Sequence, residues 1–233
     1  MRVAIICAMA EELAAVNEEI SFPLVNTFTK ASNTYNEYRD GENEIITVVS
    51  GIGKVNAAIT TQILLDNFAV DAVVNVGVAG SLSPNLTFGD VVVATDLVEH
   101  DFDITAFGEP LGQIARMDTF AFAADSSLNS KIVTGLQLDN NQVVSGRIVS
   151  GDQFIDNADK AKFLHAEFHA LACEMEGAAI AHVCYVNKVP FAVIRALSDM
   201  AGQDGAASHS FEDLKYMAAE RAATVAKHFL RGL

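Results

Sequence analysis

The chain has no tryptophan, four prolines and three cysteines among 233 residues, and it is short of positive charge. Fifteen Lys and Arg face thirty Asp and Glu, a formal net charge of −15. Each shortage excludes something. Binding a nucleic-acid backbone needs clustered Lys and Arg to release counterions, and no such cluster exists, so no nucleic-acid partner is expected. An acidic envelope also disfavours polyanionic substrates and tolerates neutral or cationic small molecules. Cys7, Cys173 and Cys184 are odd in number, sit in apolar segments and form no CxxC. That suits buried thiols in a reducing, cytoplasmic setting better than a disulfide framework. The longest apolar runs, such as VDAVVNVGVAG at 70–80, fall short of the roughly 20 residues that cross a bilayer, so no membrane partner is expected.

The first residues, MRVAIICAMAEEL, outline a short secretory signal: one Arg, an apolar stretch ending Ala-Met-Ala, then acid. The apolar core is short, the positive flank weak, and the free thiols weigh against export. The other reading is a buried strand that delivers Glu11 and Glu12 to the start of a helix.

What is present is apolar surface. At 51% hydrophobic residues a sizeable core can be buried, and no composition break or repeat divides the chain, so one domain over 1–233 is expected. Near-continuous apolar runs at 2–8, 70–80, 90–98, 143–150 and 191–198 predict strands buried on both faces. Helical spacing predicts helices over about 10–20, 56–68, 125–136, 157–168, 174–186 and 211–231, the last with a capping-box-like start at Ser210. Alternation broken by SN and DGEN between 23 and 50 predicts two or three antiparallel strands. Strands alternating with helices give an α/β fold with a parallel or mixed sheet.

In such sheets ligands sit where strands end in loops. Four strand ends carry unusual residues: AMAEE (8–12), SGIGK (50–54), GVAGS (77–81) and RALSD (195–199). GIGKVN is too incomplete for a dinucleotide or P-loop fingerprint; its glycines predict a tight turn close to a ligand or a neighbouring chain. HAEFH (165–169) lacks the Glu that a zinc-protease helix places after its first His, and no metal is expected. GVAGS is no nucleophile elbow, but its glycines imply that something approaches the backbone. In CEMEG (173–177), Glu174 and Glu176 stand among apolar residues, where a carboxylate must be paired or must raise its pKa. Dipole complementation at a helix start accounts for one of them. Glu12, Glu176 and Asp199, with Arg195 and Ser198 and without a convincing nucleophilic triad, suit acid–base cleavage of a glycosidic bond.

AMAEE, SGIGKVNAA, GVAGSL, HDFDITAFG, SGDQFI, EMEGAAIAHVC, RALSDMAG and SHSFED run in order from residue 8 to residue 213. Together they resemble the 5′-methylthioadenosine/S-adenosylhomocysteine nucleosidases of the nucleoside phosphorylase/hydrolase superfamily. The resemblance implies a three-layer α/β/α sandwich around a mixed, partly closed β-sheet, assembled as a homodimer and using no cofactor. It implies hydrolysis of the adenine–ribose bond in 5′-methylthioadenosine, S-adenosylhomocysteine and 5′-deoxyadenosine, serving methionine salvage. By motif position, Glu12 would activate water and Asp199 would protonate the purine, with Ser198 beside it and Arg195 orienting water and carboxylates. Glu176 would bind the ribose hydroxyls, Met175 and Phe154 would enclose base and sugar, and the Ile155 backbone would meet the adenine edge. Gly80 would lie in the nucleoside pocket. Met9, Ile52 and Phe211 would line the 5′-thioalkyl site, and Ile104 and Phe107 would reach that site in the partner subunit.

The chain departs from the family pattern at Val78, at Ala10 and in the longer 202–208 loop. The Gly-Val-Ala-Gly-Ser variant occurs in relatives that also split 6-amino-6-deoxyfutalosine, so that activity is carried as an expectation. The competing expectation is a purine nucleoside phosphorylase, which would need cations to hold phosphate; Asn75 stands where such phosphorylases typically carry Arg.

Overall fold

The computed structural model describes all residues except 137, 139, 203–206 and 233, and for 207–213 it describes the backbone alone. The apolar opening stretch is β1 (Arg2–Cys7), buried from Val3 onward, and it turns through Ala8 and Met9 into α1 (Ala10–Glu19). A meander of β2 (Leu24–Lys30), β3 (Asn33–Asp40) and β4 (Asn43–Val49) follows. Next come α2 (Lys54–Asn67), β5 (Ala72–Ser81), β6 (Val91–Glu99) and a single 3₁₀ turn at Thr105–Phe107. The chain continues through β7 (Phe122–Ala123), α3 (Ser126–Val133), β8 (Val143–Ser150), α4 (Ala158–Phe168) and β9 (Ala172–Glu174). It ends with α5 (Gly177–Asn187), β10 (Phe191–Met200) and α6 (Ala207–Leu230).

The strands form one mixed sheet in the order β10-β6-β8-β9-β5-β1-β4-β3-β2, and β10 also pairs with β5. That extra pairing closes β5, β10, β6, β8 and β9 into a ring and leaves β1 to β4 as an open arm, with β2 at its edge. β1, β4, β5 and β10 run parallel where they pair, so the carboxyl ends of β1, β5 and β10 emerge side by side. The sheet is thus the mixed, partly closed one expected.

Helices cover both faces. Leu13 and Val16 of α1, Leu128 and Ile132 of α3 and the alanine-rich stripe of α6 pack on Val74, Val76 and Ile194. On the other face, Ala57 and Leu64 of α2 and Ala178 to Ala181 of α5 pack on Val73, Val193 and Leu197. Neighbouring residues of β5 and β10 thus bury on opposite sides, which is why these strands read as unbroken apolar runs. The small residues of α5 let that helix lie close to the sheet.

Two expected boundaries are corrected. The helix expected over 174–186 begins at Gly177; Glu174 ends β9, held extended by its pairing with Ser150 of β8. The last helix starts at Ala207, so Ser210 lies inside it and does not cap it, because Ala-Ser-His is compatible with helical backbone. In HAEFH, His165 Nδ1 lies 2.8 Å from the Ala170 carbonyl oxygen. His169 closes α4 in the left-handed conformation.

Candidate active site

The carboxyl ends of β1, β5 and β10, with the turns β4–α2 and β9–α5 and the segment after β8, line an open cleft whose empty space, with the solvent at its mouth, is about 690 Å³. Its polar wall carries Glu12, Glu176, Ser198 and Asp199, and Gly80 leaves part of the floor bare. Met9, Ile52 and Val78 give it an apolar end; Phe154, Ile155 and Met175 form another wall. Phe154 and Ile52 remain about half exposed, at 48% and 53%, as residues at an open mouth do.

Glu12 is drawn inward by the turn between β1 and α1. It is the third residue of the helix, and its Oε2 accepts the Ala8 and Met9 N–H groups at 2.9 Å each. Its Oε1 accepts the Val78 N–H at 3.0 Å. Burial raises its pKa above the ordinary carboxylate range, while the Arg195 charge and the three backbone donors pull it back down. Glu11, its neighbour, turns outward to Lys215.

Beneath the cleft lies Arg195, 1% exposed. Its Nη2 donates to Glu174 and, at 2.6 Å, to Asn75 Oδ1, and lies 3.5 Å from Glu176 Oε2. Asn75 is fixed in turn by donating to the Ile6 carbonyl at 2.8 Å. The guanidinium passes close over Gly77: a Cβ there would stand 2.1 Å from Arg195 Nη1 and 2.6 Å from Glu12 Oε1. The approach that the glycines of GVAGS implied is made here by the protein's own catalytic candidates.

The two glutamates of CEMEG part company. Glu174 is structural: it also accepts the Ser150 hydroxyl and the Glu176 and Gly177 N–H groups at 3.0 and 2.7 Å, anchoring the start of α5. Glu176 faces the cleft, with Oε1 accepting the Gly53 N–H at 2.9 Å. Burial, and then the charge of Glu174, push its pKa up against the pull of Arg195. Gly53 adopts φ +96°, a conformation that favours glycine, so the turn read from GIGKVN serves to aim an N–H at a carboxylate.

Asp199 sits at a β-bulge. Leu197 pairs with Ala79 and Asp199 with Gly80, leaving Ser198 as an extra residue on β10. Both Ser198 and Asp199 therefore reach the cleft, and the Ser198 hydroxyl donates to Asp199 Oδ1 at 2.8 Å. Burial raises the Asp199 pKa to about 6; Ser198 opposes this and Asp156 adds to it. The serine thus orients the acid, and burial is what keeps a proton on it. A methyl group at Gly80 would stand 3.1 Å from Asp199 Oδ2, so the glycine keeps that oxygen open.

Three of the expected residues are not among those lining the cleft, two of them assigned from the outset to the partner's site. Ile104 and Phe107 lie at the 3₁₀ turn and do not line this chain's cleft; Phe107 is 85% exposed. The Phe211 side chain lies outside the described residues. The structure adds participants that carry no site role in the sequence reading: Ser150, Asn75 and Gly77, with Glu174, set the geometry of Arg195 and Glu12, while Gln153 and Cys173 line the cleft. A buried Arg on a central strand was the available signal, since it needs nearby carboxylates.

With this geometry in hand, comparison with known proteins is specific. The chain matches the phosphorylase superfamily over residues 2–231. It is 42% identical over 220 residues to the 5′-methylthioadenosine/S-adenosylhomocysteine nucleosidase of Anoxybacillus flavithermus, covering 94% of this chain and 93% of that one. A structure of the Helicobacter pylori protein of the same name is similar with a TM-score of 0.94 at 34% identity, covering 100% and 99% of the two chains. A structure described as the futalosine hydrolase of Helicobacter pylori has a TM-score of 0.93 at 34% identity, covering 100% and 98%. The chain belongs to the phosphorylase superfamily and, within it, to the 5′-methylthioadenosine/S-adenosylhomocysteine nucleosidase family.

Proposed function

We propose that the chain, as one domain over 1–233, hydrolyses the N-glycosidic bond of 5′-thio-substituted adenosines and releases adenine. The substrates are 5′-methylthioadenosine, S-adenosylhomocysteine and 5′-deoxyadenosine, and the neighbouring futalosine hydrolase supports 6-amino-6-deoxyfutalosine as a further one. The observation that carries this reading is a pair of carboxyl groups on one cleft in different settings: Asp199, raised to about 6 and partnered by the Ser198 hydroxyl, and Glu12, whose oxygens accept three backbone N–H groups.

Adenine leaves readily only when its ring is protonated. Asp199, raised to about 6, holds a proton far above the range of an ordinary aspartate and delivers it to the purine as the bond to ribose breaks. Glu12 takes a proton from the water that attacks the anomeric carbon from the opposite face. Glu176 binds the ribose hydroxyls, and Arg195 holds the carboxylates in register. Phe154 and Met175 enclose base and sugar, the Ile155 backbone meets the adenine edge, and Met9, Ile52, Val78 and Phe211 receive the thioalkyl group. Neither metal nor cofactor enters the scheme. Among the described residues, no Lys, Arg or His side chain lines the cleft, which favours water over phosphate as the acceptor.

A homodimer in the cytoplasm, with Ile104 and Phe107 completing the partner's thioalkyl site, accords with the exposed Phe107. The test is adenine release from 5′-methylthioadenosine in phosphate-free buffer. Turnover that requires phosphate and yields ribose-1-phosphate sugars would establish a phosphorylase instead. Near-normal hydrolysis by Glu12→Gln would remove Glu12 as the base.

A further inference from the structure

The scheme above leaves one charged cluster unused. Lys54 is the first residue of α2, and its side chain is 17% exposed. Its Nζ lies 2.9 Å from Glu99 Oε2 and 2.6 Å from Asp101 Oδ1. The other oxygen of Asp101 accepts the Asp152 N–H at 2.9 Å, and Asp152 Oδ1 accepts the Lys54 N–H at 2.8 Å. Lys54, Asp101 and Asp152 thus close a ring of three hydrogen bonds. Glu99 braces it from the end of β6, its second oxygen 3.3 Å from His182 Nδ1 on α5.

None of these side chains lines the cleft, yet the chain on either side of the ring does. Gly53, next to Lys54, donates to Glu176. Gln153, Phe154 and Ile155, directly after Asp152, form the wall over the cleft. Space is tight here: a Cβ on Gly53 would stand 3.0 Å from Asp152 Oδ1. Loops without regular backbone pairing hold a site only if something fixes them, and charge-assisted hydrogen bonds do this with directional preference.

We propose that Lys54 is a positioning residue whose ring with Asp101 and Asp152 fixes the Gly53 N–H on Glu176 and the 153–155 wall over the bound nucleoside. The proposal rests on the nucleosidase reading for the identity of that ligand. Its effect falls on binding groups, not on the acid or the base. Removing the ring loosens ground state and transition state together, which raises KM while kcat changes little. Asp199 lies outside the ring, so the pH dependence that it sets is retained.

The experiment is steady-state hydrolysis of 5′-methylthioadenosine by Lys54→Met, Asp101→Asn and the double variant, with thermal midpoints and amide hydrogen exchange on the same samples. Each single variant is expected to raise KM by about tenfold, the scale of one lost charge-assisted contact, with kcat within about threefold. The double variant is expected to match the singles, because the ring acts as a unit. Exchange should quicken in peptides covering 51–54 and 151–155 and stay unchanged in the β2–β3 hairpin. A fall in kcat and melting temperature with KM unchanged would make Lys54 a scaffold residue and overturn the proposal. So would additive effects that compound to about a hundredfold in the double variant. Failure of the unmodified chain to release adenine would overturn the nucleosidase reading alone; the exchange pattern then decides for or against the ring without substrate.

Discussion

Two arginine–carboxylate clusters stand on different parts of the sheet and do different things. On the open arm, Arg2 and Arg39 meet Glu37 and Glu44, with Arg39 bonded to Glu37 at 2.9 Å and to Glu44 at 2.8 Å. Two cations face two anions, and the Arg39 side chain is 47% exposed. At the ring, Arg195 is almost fully buried and serves Glu174, Glu176 and, through space, Glu12. One cation faces three carboxylates there. In water the surplus would be screened; in the buried cluster desolvation raises Glu12 and Glu176 against the pull of Arg195, and the neighbouring Glu174 charge adds to the rise of Glu176. A balanced cluster ties strands together, whereas an unbalanced buried one stores acid–base capacity.

The largest effect expected is on chemistry. Asp199→Asn should lower kcat by about 10³-fold, roughly 4 kcal/mol of barrier, with nucleoside binding retained. In the unmodified chain the acid must hold its proton, so turnover that depends on it should decline as pH rises through about 6. The same raised pKa has a stability consequence. The contribution of Asp199 is fully present below the ordinary carboxylate range and is lost as pH rises through about 6. Thermal midpoints of Asp199→Asn should therefore gain on those of the original chain across that window; a constant difference would remove the buried-acid account.

Arg195→Met should cost about 3–5 kcal/mol in urea unfolding, since Glu174 is left buried without its cation. Adding Glu174→Gln should recover part of that loss, and a failure to recover any would show that packing dominates. Gly77→Ala forces a methyl between Arg195 and Glu12, which should cost about 1–3 kcal/mol and most of the activity. The smallest effect belongs to the open arm: Arg39→Ala should change stability by less than about 1 kcal/mol and leave kcat/KM unaltered. A loss as large as that of Arg195→Met would erase the contrast between the clusters.

Much of this was legible in the sequence, for local reasons. β1, β5, β6 and β10 are apolar runs of strand length, and the polar residues in and just after them single out the segments that meet at the site. Glu12, Ser198 and Asp199 stand at or just beyond the ends of such runs, and Glu174 and Glu176 stood out as a pair among apolar residues. The ring closure followed from the family resemblance and not from the residue pattern, because it depends on β9, three residues long, and on pairings between segments more than 100 residues apart. The separate duties of Glu174 and Glu176 were hidden for the same reason. They are set by Ser150, Gly53 and Arg195, which arrive from three other strands or turns. The start of α5 was misjudged because small apolar residues carry no sign of where a helix begins.

The bulge at Ser198 has a consequence for how this chemistry could be moved to another sheet. On a regular strand two consecutive residues point to opposite faces, so an acid and the hydroxyl that orients it could not both enter one cleft. Here the extra residue shifts the phase of β10 by one position. The trait is therefore written in chain length and not in any one side chain. A scaffold without the bulge would need an inserted residue before an aspartate at its strand end could acquire this hydroxyl partner, and no series of point substitutions would supply it.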